Sequence, residues 1–192
     1  KRALMLTAAT IALLSGPAYA AADNTKPLKT STSGNIDIET TNDLNIPSSS
    51  TAATVPAIEI DSGTFSKPAT VTVGDSATVT FSGTPSAIGI QADGGKVGEM
   101  VISGTVNLTG TGTDKTGILI GNQEASTSAV FHGIVDKIDN PNSSDPTAVA
   151  IRSGGIVEVQ GDGSFGIHLQ SGASLNGDMV INGQASATTS DT

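Results

Sequence analysis

The chain has 192 residues and a formal charge of −9, from 9 basic and 18 acidic residues, and it contains no cysteine. Without cysteine, disulfides, thiolate metal sites and a thiol nucleophile are excluded. An acidic chain with scattered charges is a poor candidate for binding nucleic acid or an anionic membrane, because both need clustered Lys and Arg. Four Phe and one Tyr stand against 23 Gly and many β-branched residues, which favours strands and turns over a helical bundle.

The first 20 residues have the three parts of a secretory signal peptide. Lys1 and Arg2 form a positive start, and an uncharged, mainly apolar run follows over residues 3–14. This run is shorter than the roughly 20 residues that a membrane-spanning helix needs. Ala18-Tyr19-Ala20 gives an A-x-A cleavage site, so the predicted cleavage residues are Ala18, Ala20 and Ala21. The sequence therefore predicts export through the inner membrane, with residues 21–33 as a flexible lead-in.

Residues 34–186 alternate apolar and polar side chains in short bursts that end at or near Gly, Asp, Asn or Ser. Examples are Ile36-Asp37-Ile38, Val71-Thr72-Val73 and Val157-Glu158-Val159. Alternation with a period of two over so few residues predicts half-buried strands. A helical stripe of useful length is not found in this part of the sequence.

One burst recurs along the chain. Its first apolar residue falls at positions 58, 88, 118, 149 and 167, at intervals of 30, 30, 31 and 18 residues. A weaker strand set lies between these bursts, at 77–83, 106–110 and 179–183. Because about 30 residues hold three short strands, the repeat predicts rungs of a right-handed parallel β-helix, stacked at roughly 4.8 Å. The short last interval fits either a rung with a tight turn or a second strand of the same rung.

An antiparallel β-sandwich is the alternative fold, because it also has short strands at regular intervals. A sandwich gives no reason for a strand sequence to recur, so the solenoid is preferred. Residues 187–192 are predicted to be a disordered end or a truncation point.

The signal peptide, the segment Thr30-Ser31-Thr32-Ser33-Gly34-Asn35-Ile36-Asp37-Ile38 and the tandem units of the form AIxI…SG resemble the N-terminal part of a bacterial autotransporter (type V secretion) passenger. The resemblance covers nearly the whole chain and rests on its repeat pattern. It implies an exported, surface-exposed β-helix that attaches to the outer membrane only through a C-terminal β-barrel, which is not in this sequence. Outward ladders of Thr, Ser and Asn on such a solenoid predict weak multivalent contact with glycans or other cell-surface partners, with none identified.

Several short motifs approach the patterns of known catalytic or binding sites. The segment from Gly161 to Gly166 fits G-x-G-x-x-G, but the following residues predict a strand, whereas a dinucleotide site needs a helix there. The segment from Gly94 to Glu99 misses the spacing of a calcium-binding repeat. Single aspartates at turns are predicted to accept backbone N–H bonds; these are Asp61, Asp75, Asp93 and Asp162.

The cationic and imidazole side chains are few. His132 and His168 make a poor zinc site, and they are predicted at a strand end or loop and on an outward rung position, respectively. Arg152 is the one arginine after the signal peptide, and Lys96, Lys115 and Lys137 are predicted in turns. The sequence thus predicts a non-catalytic stalk or adhesin without catalytic, cofactor or metal residues. The alternative is a polysaccharide hydrolase or lyase of β-helix fold, which requires carboxylates gathered on one face.

Overall fold

The computed structural model describes residues 24–47, 55–82, 85–121, 130–135 and 145–188, and all structural statements below refer to these residues. The predicted signal peptide, with its cleavage residues Ala18, Ala20 and Ala21, lies outside them, as does Lys137. No helix in the described part is long and apolar enough to cross a membrane.

The described chain winds through five successive rungs. The first rung holds β1 (Leu28–Lys29), the single turn α1 (Thr30–Ser33), β2 (Ile36–Ile38) and β3 (Leu44–Ile46). The second holds β4 (Ile58–Ile60), β5 (Ala69–Val73) and β6 (Thr78–Ser82), and the third holds β7 (Ile88–Ala92), β8 (Gly98–Ile102) and β9 (Thr105–Thr109). The fourth holds β10 (Thr116–Ile120), β11 (Val130–His132), β12 (Thr147–Ile151) and β13 (Ile156–Gln160). The fifth holds β14 (Phe165–Leu169), β15 (Ser174–Asn176), β16 (Asp178–Ile181) and β17 (Gln184–Thr188).

Equivalent strands of successive rungs stack into three five-stranded parallel sheets. Sheet A has the order β1-β4-β7-β10-β14, sheet B has β2-β5-β8-β12-β16, and sheet C has β3-β6-β9-β13-β17. A short sheet D, β11-β15, lies between sheets A and B in the last two rungs. All named strand pairs are parallel, and the only antiparallel bridges among the described residues are the isolated ones at 64–67 and 134–147. The parallel β-helix prediction is therefore confirmed, and the antiparallel sandwich is wrong.

The core is built from apolar residues that stack in register from rung to rung. One inner position of each sheet gives the ladders Leu28, Ile58, Ile90, Ile118 and Ile167 in sheet A, Ile36, Val71, Met100, Val149 and Met179 in sheet B, and Leu44, Val79, Val106, Val157 and Ala185 in sheet C. Because a lone rung cannot bury its inner side chains, the fold is stable only as a stack.

The structure corrects one member of the predicted repeat. The bursts at 58, 88, 118 and 167 all lie in sheet A, but the burst at 149 is β12, which pairs with β8 and β16 in sheet B. The 18-residue interval therefore runs from sheet B through sheet C to sheet A of the next rung. The sheet A ladder through Ile90 and Ile118 has intervals of 30, 32, 28 and 49 residues. The error arose because β12 is buried at every position, as β7 and β10 of sheet A are, so the three strands have similar runs of small and apolar residues.

The stack extends beyond the predicted solenoid boundaries at both ends. Leu28–Lys29, within the predicted lead-in, already pairs with β4. The last strand, Gln184–Thr188, passes the predicted limit at residue 186 and pairs with β13 along its length. Of the predicted weak strand set, β6 and β9 lie in sheet C, whereas the segment at 179–183 contributes to sheet B.

Sheets A and C approach closely at a ladder of glycines. In three rungs the second residue of the sheet A strand is glycine: Gly89, Gly117 and Gly166. A β-carbon on residue 89 would lie 2.9 Å from Cδ1 of Leu108 and 3.0 Å from Cγ1 of Val106, both core side chains of sheet C. The missing side chain is thus what allows the two sheets to pack in these rungs.

The two ends of the stack differ. In the first rung the inner side chains of β2 and β3 are buried, and the carbonyl oxygen of Asn24 accepts the N–H of Asn45 at 2.8 Å. In the fifth rung the inner positions are open: Leu169 is 50% exposed, although its register partner Ile120 is 1% exposed. Likewise Ile181 is 48% exposed above a fully buried Ile151.

Candidate functional site

Charged side chains gather on the outer face of sheet A in the first three rungs. Lys29 and Glu59 occupy register positions of neighbouring strands and form an ion pair. The bond to Glu59 raises the pKa of Lys29. Just beyond β4, the Asp61 carboxylate accepts the backbone N–H of Ser31 at 2.9 Å and its hydroxyl at 2.6 Å. These bonds tie the first rung to the second.

The two aspartates that follow β4 and β7 have opposite pKa shifts. Burial tends to raise the pKa of Asp61, but the hydrogen bonds from Ser31 outweigh it and the pKa is lowered. Burial raises the pKa of Asp93, and the charge of Asp61 raises it further, although a hydrogen bond from Gln91 at 2.7 Å opposes the shift. Two carboxylates with diverging pKa values are a feature of acid–base sites. Here both have bonds to protein donors, which is the expected arrangement of structural carboxylates.

The predicted turn role of the aspartates holds for Asp61, whose backbone partner belongs to the adjacent rung and not to its own turn. Asp93 is bonded to a side-chain amide instead. Asp162 lies at the turn between β13 and β14, within the G-x-G-x-x-G segment. That segment runs into strand β14 as predicted, and a β-carbon on Gly163 would lie 2.5 Å from the carboxylate oxygen Oδ1 of Asp114. These glycines therefore serve the stacking of neighbouring turns.

Lys115 lies in the loop between β9 and β10, in agreement with its predicted turn position, but its side chain is fully buried. Its ammonium donates to the carbonyl oxygens of Thr109 at 3.0 Å and Gly110 at 2.6 Å. Burial lowers the pKa of Lys115. The lysine thus stabilises the loop between β9 and β10, because its ammonium satisfies two carbonyl groups there.

An aromatic cluster lies at the corner between sheets A and B. Phe65 is 78% exposed at the tip of a tight turn that Thr64 and Lys67 close with two backbone hydrogen bonds, of 2.9 and 3.0 Å. The Phe65 ring meets the imidazole of His132 in a T-shaped contact with ring centroids 5.1 Å apart. Nδ2 of Asn176 lies 3.1 Å from Nδ1 of His132. We call these three side chains the corner cluster.

His168 lies in β14, the last strand of sheet A, and it is not part of the corner cluster. Its imidazole stacks on Phe165 with ring centroids 4.6 Å apart and an interplanar angle of 24°. His132 lies at the end of β11, which agrees with its predicted strand-end position. No group of three or more His, Cys, Asp or Glu residues that could hold a metal ion occurs in the described ranges.

The sequence pattern does not predict the corner cluster. Its members lie at positions 65, 132 and 176, on the second, fourth and fifth rungs, and no motif links them. The bridge from Val97 to His132 and the pairing of His132 with Asn176 bring the rungs into register at this corner. The weak signal in the sequence was an isolated phenylalanine in a polar turn of a chain with few aromatics.

Comparison with protein families, with curated proteins and with solved structures gives no match for this chain. The chain is therefore classed by its own geometry, as a protein of parallel β-solenoid fold with repeating rungs.

Proposed function

We propose that this chain is an exported, non-catalytic surface segment of an autotransporter-like outer-membrane protein, acting as a stalk or adhesin. The observation that carries the proposal is the unbroken stacking of all three sheets through five rungs. Each sheet adds one strand per rung, so the structure grows along one axis, as a spacer must. The signal-peptide pattern of residues 1–20 supports export.

The outer face of sheet C supports the adhesin reading. At one outer register position its strands carry Asn45, Thr80, Asn107, Glu158 and Ser186. Hydroxyl, amide and carboxylate groups thus repeat at the strand spacing of roughly 4.8 Å. Oδ1 of Asn107 is buried, but the other groups of the ladder offer several weak polar contacts to a repetitive partner. Several such contacts made together bind more tightly than one alone.

A β-helix polysaccharide hydrolase is the second candidate, and the opposite pKa shifts of Asp61 and Asp93 are the observation in its favour. Against this candidate, the Asp61 carboxylate already accepts two hydrogen bonds from Ser31. It also accepts a third, from Oγ1 of Thr30 to Oδ1 of Asp61, at 3.3 Å. A nucleophile or general base needs at least one oxygen that can reach the substrate.

The test combines export, adhesion and hydrolysis. Expression of the full chain in a Gram-negative host should give a product cleaved after Ala20, detected by intact mass, and leucine substitutions at Ala18 and Ala20 should prevent cleavage. Beads coated with the processed protein should adhere to cell layers more than albumin-coated beads. A panel of polysaccharides should show no release of reducing ends. Release that disappears in Asp93→Asn would overturn the proposal in favour of the hydrolase.

A further inference from the structure

The corner cluster is an exposed site made from three rungs, with a different chemical group from each. Phe65 offers an apolar ring, His132 an imidazole and Asn176 a primary amide. Phe65 has the most exposed side chain among the large hydrophobic residues of the described chain. A large apolar side chain held in water by a rigid turn needs an explanation, since burial of a Phe side chain is worth about 1.5–3 kcal/mol.

The turn that carries Phe65 is fixed by its own hydrogen bonds. Besides the two backbone bonds between Thr64 and Lys67, the hydroxyls of Thr64 and Ser66 lie 3.2 Å apart. The backbone of His132, in the fourth rung, is held by the third rung, because its N–H donates to the carbonyl oxygen of Lys96 at 2.9 Å. The backbone that carries the Phe65 ring is thus held in one conformation, which lowers the entropic cost of binding.

A hydrogen bond joins the side-chain amide of Asn176 to Nδ1 of His132. With Nδ2 of Asn176 as the donor, Oδ1 of Asn176 is left as an acceptor and Nε2–H of His132 as a donor; with the amide turned round, Nδ2 of Asn176 is left as a donor and Nε2 of His132 as an acceptor. In either arrangement the cluster offers one donor and one acceptor beside the ring. An apolar ring beside a donor and an acceptor matches a sugar, which has a C–H face and hydroxyl groups at its edge.

We propose that the corner cluster binds a pyranose ring, with the C–H face of the sugar on Phe65 and its hydroxyls on His132 and Asn176. This inference rests on the proposed adhesin function and gives its ligand class. The other Phe–His pair of the described chain, Phe165 and His168, does not leave its rings accessible in this way. Its two rings stack almost parallel at 4.6 Å, so each covers one face of the other. The T-shaped contact of Phe65 with His132, at 61°, and the 78% exposure of Phe65 leave the phenyl ring accessible.

The test is an NMR titration of the processed chain, labelled with ¹⁵N, against methyl β-glycosides of glucose, galactose and N-acetylglucosamine and their disaccharides. At least one probe should shift the resonances of Phe65, His132 and Asn176, with a dissociation constant of about 0.1–10 mM, as expected for a small open site. Phe65→Ala should weaken binding by about tenfold or more, since aromatic stacking contributes beyond its area.

Phe165→Ala is the matched control, because it also removes a phenyl ring that contacts an imidazole, and it should leave the affinity unchanged. Asn176→Ala should weaken binding with no change in the spectrum of the distant first rung. Absence of shifts with all probes at about 20 mM, or shifts that Phe65→Ala leaves intact, would overturn the inference. The bead assay separates the two proposals: adhesion without sugar binding removes only this inference, and sugar binding without adhesion removes only the adhesin function.

Discussion

Substitution of Gly89 by alanine tests whether the glycine ladder sets the distance between sheets A and C. The added β-carbon would lie 2.5 Å from the carbonyl oxygen of Gly117 and 2.9 Å from Cδ1 of Leu108. Favourable carbon–carbon contacts have separations of about 3.5–4.0 Å, so Leu108 must retreat by about 0.6 Å or more. The backbone oxygen cannot retreat independently, because it belongs to the neighbouring strand of a hydrogen-bonded sheet.

We therefore expect Gly89→Ala to lower the free energy of unfolding by about 2–3 kcal/mol, at the upper part of the range for overpacked cores. For a chain of this size the midpoint of thermal unfolding should fall by roughly 4–12 °C. Urea unfolding followed by far-UV circular dichroism measures the change. Thr80→Ala, on the outer face of sheet C, is the control and should stay within about 0.5 kcal/mol. An unchanged stability in Gly89→Ala would refute the steric argument.

Three further predictions concern stability and association. Asp61→Ala should lower the free energy of unfolding by about 1–2 kcal/mol at pH 7. This difference from the wild type should vanish as the pH falls through the lowered folded-state pKa of Asp61. Urea unfolding of both proteins at several pH values measures the difference, and a difference that does not change with pH would contradict the prediction. Lys115→Met should be less stable than the wild type by about 1–2 kcal/mol, because two carbonyl groups lose their donor. Since burial lowers the pKa of Lys115 in the folded state, the wild type should gain stability relative to this variant as the pH rises towards about 10.4, and thermal melts at several pH values check the sign. Leu169→Lys and Ile181→Lys should each reduce self-association of the processed chain, measured by light scattering, because charge protects an exposed strand edge. A lysine at an exposed outer position is the control. An equal reduction by the control would contradict the prediction, because it would show a general effect of charge.

The fold class was readable from the sequence because strands such as β2, β5 and β13 alternate and because sheet A repeats a recognisable burst. The sheet assignment was only partly readable. β12 of sheet B is buried at every position, as β7 and β10 of sheet A are, so its sequence resembles theirs. The long interval from Ile118 to Ile167 also broke the expected period. Sequence spacing measures chain length per rung, which varies at the corners, whereas the register is set by the stacking of side chains.

The site was much less predictable than the fold. The loop position of Lys115 was predictable because its neighbours are Gly, Thr and Asp. Its burial was not, because it depends on two carbonyl groups five and six residues earlier. The partner of Asp61 is 30 residues away, in the preceding rung. The contacts of Phe65, His132 and Asn176 likewise join different rungs, so they exist only once the register of the whole stack is known.

The closed first rung and the open fifth rung give the solenoid a direction. Within the described residues, the fifth rung pairs with one neighbouring rung and its inner side chains are half exposed, whereas an inner rung pairs on both sides. In a protein of these 192 residues, amide hydrogen exchange should therefore be fastest in β16 and β17 and slow down, rung by rung, towards β4 and β5. In that protein, fraying would proceed as single-rung steps from the fifth rung, so that the register of the remaining rungs is preserved as a template on which the lost rung can form again.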